Sequence, residues 1–350
     1  MNFKLKTFSL VAGVWLCTLS AVFASAQAKP RVSVGAKPVS RPSINDTASF
    51  LPASDAIVMV DVNRVLNDAL PLFFAADPTG LANVDTELQK FKTETGIDPR
   101  NFDQFAVGMK IQSPRDGVTT SDTVAIAHGA FQAGAIVAAG ALAAAGKYEV
   151  EKYQGSTIYI FNLNENVKLL GLISTRISKL AVVVLEKNTL ALGDLQMVKA
   201  TLDVKRGAQS NSTLIGLATR TPDAFLGFGG NVPANVAENV DFPSDQIAKN
   251  IKSIRQVYGS ATVSGKQLNM FASAKTNSPD DAASLSDTLA GLKQLGAILI
   301  AQMKVDQRKL AQNAMDNLKI DQAGNEVQLR LSIPQSDLAT LMKTVGKKKA

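Results

Sequence analysis

Apolar and polar residues alternate over many short stretches of this chain, and segments with a helical repeat separate those stretches. Residues 56–62 are dense in β-branched side chains, which predicts a strand ending at Asn63. A helical stretch follows to about Phe74. Leu81, Val84, Leu88 and Phe91 recur at helical spacing, and Gly96 stands where a C-cap belongs. Strands over 105–111 and 123–127 flank a loop from Ser113 to Gly117, and an Ala-rich helix over 132–145 comes next. A second hairpin, over 148–150 and 157–161, turns through Gln154 and Gly155. Strands over 181–185 and 189–192 pair across Glu186, Lys187 and Asn188. Asp194 then offers an N-cap to a helix carrying Leu195, Val198 and Leu202.

The second half follows the same order. Residues 223–229 read as a strand, and 256–263 and 267–275 pair across Ser264, Gly265 and Lys266. Ser278, Pro279, Asp280 and Asp281 form a helix start: a capping hydroxyl, proline at the first position and acids in the first turn. Leu285, Leu289, Leu292 and Leu299 lie along one face of that helix. Residues 318–321 and 327–333 pair across Ala323, Gly324 and Asn325. Val327, Leu329, Leu331 and Ile333 alternate strictly, as in a strand with one buried face. Ser336 is a candidate cap for a last helix with Leu338, Leu341, Met342 and Val345.

Hairpins with helices between them predict an α+β fold. The expected architecture is antiparallel sheets built from repeated β-hairpin plus helix units, with helices covering one face. The Gly207 to Ser212 cluster places a boundary near Arg206–Ser212. The predicted organisation is a signal peptide over 1–26, a disordered Pro/basic linker over 27–49, α+β halves over 50–208 and 209–346, and a basic tail over 347–350. The halves are open to two accounts, a diverged duplication or similar strings arising from similar secondary structure.

The start of the chain adds an address. Lys4 and Lys6 precede an uncharged run over 8–23, and Ala24-Ser25-Ala26 and Ala26-Gln27-Ala28 offer small-x-small cleavage sites. That is the pattern of a secretory signal peptide. The run is slightly short of the roughly 20 residues a spanning helix needs. The expected mature start is Gln27 or Lys29, after cleavage at Ala26 or Ala28, with a destination in the periplasm or outside the cell. Cys17 and Trp15, the one cysteine and the one tryptophan, leave with the leader. The mature chain then holds no disulfide, no cysteine nucleophile and no thiolate metal site.

The net charge of +7 sits at the ends. Lys4 and Lys6, then Lys29, Arg31, Lys37 and Arg41, then Lys343, Lys347, Lys348 and Lys349 account for it, so the body between carries no basic surplus. Nucleic-acid binding needs Lys and Arg clustered on folded structure, and none is expected here.

Several segments resemble a known family. Leu51-Pro52-Ala53-Ser54-Asp55-Ala56 leads into a strand, and Thr95-Gly96-Ile97-Asp98-Pro99 precedes the next. His128-Gly129-Ala130-Phe131, Tyr153-Gln154-Gly155-Ser156-Thr157-Ile158-Tyr159 and Leu192-Gly193-Asp194 complete the series. Their order resembles exported bacterial envelope proteins of a domain-of-unknown-function family whose members begin with a leucine-proline-alanine strand. The likeness spans about residues 50–205. It implies a secreted α+β envelope protein and brings no catalytic residue with it.

Ordinary catalytic constellations are hard to assemble from what remains. His128 is the one histidine, no Gly-x-Ser-x-Gly elbow occurs, and His128 closes an apolar strand, where it reads as a structural hydrogen-bonding residue. One histidine and no mature cysteine do not make a zinc site of ordinary type. Asp280 and Asp281 are explained by helix capping, and Asp61 with Asn63 supplies only two candidate oxygens for calcium. No phosphate-binding Gly loop of the standard spacings is present. Gly227, Gly229 and Gly230, followed by Asn231, Val232 and Pro233, read as a turn leaving a sheet, with a ligand loop as the other reading. The uncharged stretch 124–146 is mostly Ala and Gly, which predicts a strand plus a closely packed helix and not a membrane span. No catalytic, cofactor-binding or metal residue is therefore assigned, and no cofactor is expected.

Three functions remain open. The first is a non-enzymatic envelope protein that binds an unknown protein or envelope component through sheet edges or a cleft between its halves. The others are a hydrolase using only Asp, Glu or Ser, and a membrane-anchored scaffold that keeps its N-terminal helix. After cleavage no integral membrane span is expected, and the sequence leaves the oligomeric state open.

Overall fold

The computed structural model describes residues 44–112, 120–169, 173–232, 244–303 and 305–346. The leader, most of the linker, the loop from Ser113 to Gly117, Pro233 and the basic tail lie outside the described residues. The described chain opens with α1 (Ile44–Ala48) and β1 (Ala56–Asp61). Helical residues 62–73 form α2, in which a π-turn at Val65–Ala69 separates Val62–Arg64 from Leu70–Phe73. Next come α3 (Pro78–Thr95), a 3-10 turn (Pro99–Asn101), β2 (Phe102–Gln112), β3 (Thr120–Gly129) and α4 (Ala133–Ala143). They are followed by β4 (Tyr148–Tyr153), β5 (Ser156–Leu169), β6 (Ile173–Glu186), β7 (Thr189–Gly193), α5 (Leu195–Lys205) and α6 (Ser212–Ala218). Then follow β8 (Leu226–Asn231), α7 (Asp245–Lys252), β9 (Ile254–Ser264), β10 (Gln267–Thr276) and α8 (Pro279–Ala301). The last elements are α9 (Val305–Asn317), β11 (Lys319–Ala323), β12 (Glu326–Pro334) and α10 (Gln335–Gly346).

The fold is α+β, and the paired strands run antiparallel. Two compact units divide it. The first holds residues 44–54, Asp61–Asn63 and Asp77–Ser212; the second holds Asp55–Val60, Arg64–Ala76 and the chain from Thr213.

In the first unit the strands lie in the order β2-β3-β7-β6-β5-β4. Val137 of α4 and its C-cap residue Ala144 pack on Phe161, Leu180 and Val182, which come from neighbouring strands and share one face because side chains alternate along a strand. The uncharged stretch 124–146 thus divides into β3 and α4. Among the described residues no helix is long and apolar enough to cross a membrane. The edge strand β4 is short and carries Glu149, Glu151 and Lys152, with Glu149 paired to Lys179 at 2.8 Å and Glu151 to Lys199 at 2.6 Å. Charges of this kind guard an edge against pairing with another strand.

In the second unit the order is β1-β8-β9-β10-β12-β11. Ala69 and Leu72 of α2 pack with Phe225, Ala261, Leu268 and Leu338. A separate cluster joins Ala282 and Leu285 of α8 to Val327 of β12.

Several local expectations differ from the structure. The folded part reaches back to α1, ahead of Phe50, because Ala48 is fully buried and Thr47 donates to Gln104 Oε1 at 2.8 Å. Gly227, Gly229 and Gly230 do not form a turn. They lie inside β8, where a Cβ on Gly227 would come within 1.9 Å of the Ala218 carbonyl oxygen and one on Gly229 within 3.0 Å of the Leu214 carbonyl oxygen. Missing side chains here let α6 lie directly on the strand. Asp194 holds the N-cap position of α5 but does not cap it: its Oδ2 accepts from the Thr123 backbone N–H at 2.6 Å. Ser336 lies inside α10, which begins at Gln335. Along α8, Leu285 is 1% exposed but Leu299 is 64% exposed, so the four leucines do not share one buried face.

Candidate functional site

An open cleft of about 710 Å³ lies in the first unit. It lies where the end of α3, the end of β3, the start of α4 and the β6–β7 turn come together. Thr95, Asp98, Phe131, Gln132, Lys187 and Asn188 are among its walls.

Each wall has a local cause. Helix α3 ends at Gly96, whose φ of 74° is the left-handed conformation that glycine adopts without strain, and its N–H closes on the Lys92 carbonyl. Thr95 Oγ1 donates to the Phe91 carbonyl at 2.7 Å and accepts from the Ile97 N–H at 3.1 Å, which turns the chain sharply. Asp98 then caps the 3-10 turn by accepting from the Arg100 N–H at 3.0 Å. The Phe102 ring, at the start of β2, packs against Phe131 at 4.7 Å between centroids.

Main-chain hydrogen bonds tie the walls together. The Ala130 N–H donates to the Asn101 carbonyl at 2.6 Å, the Gly129 N–H to the Asn188 carbonyl at 3.2 Å and the Ala133 N–H to the Lys187 carbonyl at 2.9 Å. Gly129 is required at this crossing, because a Cβ there would come within 2.1 Å of the Asn101 carbonyl oxygen.

The Asp98 carboxyl and the His128 imidazole are already partnered, while Lys187 is exposed. Asp98 pairs with Lys92 at 2.8 Å. Burial pushes the Asp98 carboxyl up, but the Lys92 ammonium and the Arg100 N–H outweigh burial and hold it below its ordinary value. Arg100 donates to Asp85 at 2.8 Å, while its buried Nη1 has no hydrogen-bond partner. His128 sits behind the Asn188 wall. Its Nδ1 lies 3.0 Å from Thr189 Oγ1, and Asn188 Nδ2 lies 3.3 Å from its Nε2. With the amide donating to Nε2, the ring proton belongs on Nδ1 and points to the threonine. His128 and Thr189 face one another directly in the β3–β7 ladder, which fixes this pair.

The other residues weighed from sequence go elsewhere. Asp280 and Asp281 sit in the first turn of α8, where Ser278 Oγ accepts from the Asp281 N–H at 3.1 Å, as a capping motif requires. Asn63 donates to Asp103 at 2.9 Å, and Asp61 closes β1. Among the described residues no group of three or more His, Cys, Asp or Glu side chains could hold a metal ion.

Two of the segments that carry the family resemblance, Thr95 to Pro99 and His128 to Phe131, meet at this cleft. Lys187 and Asn188 were legible only as a hairpin turn, because their role depends on a ladder that closes over a long stretch of chain.

No protein-family model matches the chain, and no curated protein matches it. Solved structures titled crystal forms IV, III and I of TP0453 are similar to it at 10%, 9% and 9% identity. The matches cover 84%, 87% and 86% of this chain and 95%, 99% and 97% of those chains, with TM-scores of 0.41, 0.42 and 0.37.

Proposed function

We propose that this chain is exported to the bacterial cell envelope, loses its leader on the way, and works there by binding an envelope component in the cleft of its first unit. One observation carries the preference for binding over catalysis: the Asp98 carboxyl and the His128 imidazole, the acid–base groups at the cleft wall, are engaged in fixed structural contacts. A nucleophile or general base must present a lone pair to the substrate. Asp98 directs its oxygens to Lys92 and the Arg100 N–H, and His128 directs Nε2 to Asn188. The exposed Lys187 and Gln132 side chains remain to meet a ligand, beside the Phe131 ring and on a main-chain frame that needs no rearrangement. The charged edge strand β4 makes strand addition a poorer route of recognition than the cleft.

The test places a photoreactive side chain at Ala135, exposed on the cleft wall, and another at Lys90, exposed on α3 away from it. Both variants are produced in cells and irradiated in the intact envelope, and the N-terminus of the exported protein is sequenced. Support is a discrete adduct at position 135 that is absent at position 90, on a chain beginning at Gln27 or Lys29. Equal labelling at both positions, or turnover of generic esters, glycosides or phosphates that disappears in D98N, overturns the reading.

A further inference from the structure

Helix α8 is apolar on two sides. Its first half is fastened to the sheet through Ala282 and Leu285, and near its end Ile300 is buried. A second stripe points outward: Leu292, Leu295, Ile298 and Leu299 are 44%, 58%, 60% and 64% exposed, and Met303, just past the helix end, is 37% exposed. Isolated exposed leucines are ordinary, but a contiguous row over about two turns marks a surface that another body covers.

Three features of the stripe select the occupant. The steps of three and four residues from Leu292 to Leu295 and Leu299 match the narrow seam of paired helices. Residues 294–303 carry no charge, and Lys293 is turned aside to donate to the Leu318 carbonyl at 2.6 Å. A two-fold contact sets a patch against its own copy, so an uncharged stripe meets itself without repulsion. The charges at its two ends are opposite. Asp287 is exposed one turn before the stripe, and exposed Arg308 donates to the Met303 carbonyl at 3.0 Å just after it. Antiparallel pairing centred on Leu295 brings Asp287 of one copy to the Met303 and Arg308 end of the other. A lipid surface is the competing occupant: Lys293 is committed elsewhere, but Arg308 and Lys309 are exposed beyond the end of the stripe, so the experiment below carries an anionic-vesicle arm.

We infer that the outer face of α8 is a self-association surface, on which a second copy of this chain packs antiparallel with Leu295 at the two-fold axis. This stands apart from the cleft reading, since the two surfaces belong to different units. The stripe offers on the order of a few hundred Å² per copy, below the roughly 800 Å² per partner of a standard stable interface, so the dimer is reversible, with a dissociation constant on the order of micromolar or weaker.

The experiment is sedimentation of the purified exported chain from about 1 to 200 μM, a range that brackets such a constant. The wild type is compared with L295D, L299D and the charge-reversed D287R. The expected result is a mass that doubles with concentration for the wild type, monomers for L295D and L299D with unchanged circular dichroism, and weakened association for D287R. In a parallel arm, L295C forms a disulfide-linked dimer on mild oxidation. A monomer throughout with no linked L295C dimer overturns the inference. So does association that survives L295D and L299D, or a monomer that instead co-sediments with anionic vesicles and loses that binding in L295D. If a variant loses its circular dichroism, L295N and L299N take its place and the same outcomes decide.

Discussion

The Lys92 ammonium stands 2.8 Å from the Asp98 carboxylate, joining the last turn of α3 to the turn that follows it. The pair holds one wall of the cleft, and it gives that wall a pH dependence of definite sign. The Asp98 carboxyl is held below its ordinary value of 3.8, so its stabilising contribution is complete above that value and is lost as pH falls through the lower folded-state value. Lys92 is half exposed, and solvent screening limits the effect to about 0.5–1 kcal/mol. D98N is expected to lower the unfolding free energy measured in urea by that amount at pH 6, with the gap to wild type closing as pH drops below 3.8. A gap that stays constant down to pH 2 would count against the ion pair.

Asp194 has the opposite sign. Burial pushes its carboxyl up, only partly offset by the Thr123 N–H. Its protonated form is favoured in the folded state, so the contribution is present below the ordinary value of 3.8 and is lost as pH rises through the higher folded-state value. D194N keeps an acceptor for Thr123 and removes the buried charge. D194A leaves a backbone donor unpaired at a cost of about 1–3 kcal/mol. Denaturation at pH 7 is expected to rank D194N at or above wild type and D194A well below it.

Tyr258 is 1% exposed and bridges two charged groups: its hydroxyl accepts from Arg220 Nη1 and donates to Glu326 Oε2 at 2.8 Å. The Arg220 guanidinium also lies 5.1 Å from the ring centroid. Y258F keeps the ring and removes the bridge, with an expected loss of about 1–3 kcal/mol. A double-mutant cycle with E326Q reads the coupling, and strict additivity of the two losses would refute the bridge.

Gly227 and Gly134 should respond in opposite directions to alanine. At Gly227 the new methyl meets the Ala218 carbonyl oxygen at 1.9 Å, so α6 must lift from β8, at about 2 kcal/mol or more. At Gly134, inside α4, nothing lies within 4 Å, and alanine is expected to stabilise by up to about 1 kcal/mol. Thermal unfolding of G227A and G134A checks both.

Strands were the legible part of this fold, since period-two runs such as 56–62 and 327–333 announce themselves and short hairpin turns set their partners. What stayed hidden was either short, polar or long-range. Helix α1 is a single turn made stable by burial of Ala48. Helix α9 is largely polar, and α6 follows a Gly and Ser cluster that reads as a linker. Glycines in β8 were ambiguous because a turn and a close approach of two backbones require the same residue. Asp194 looked like a cap because its real partner, Thr123, is 71 positions away. The cleft was half visible: the segments at Thr95 and His128 stood out, but Asn188 lies 60 positions from His128 and only the ladder brings them together.

The struts across the cleft run between peptide groups at Asn101, Gly129, Ala130, Ala133, Lys187 and Asn188. With the exception of Gly129, almost any residue supplies those atoms equally well. Substitution at Gln132 or Lys187 can therefore change the chemistry of the cleft wall while its outline stays, so this surface can vary in sequence without a toll on folding.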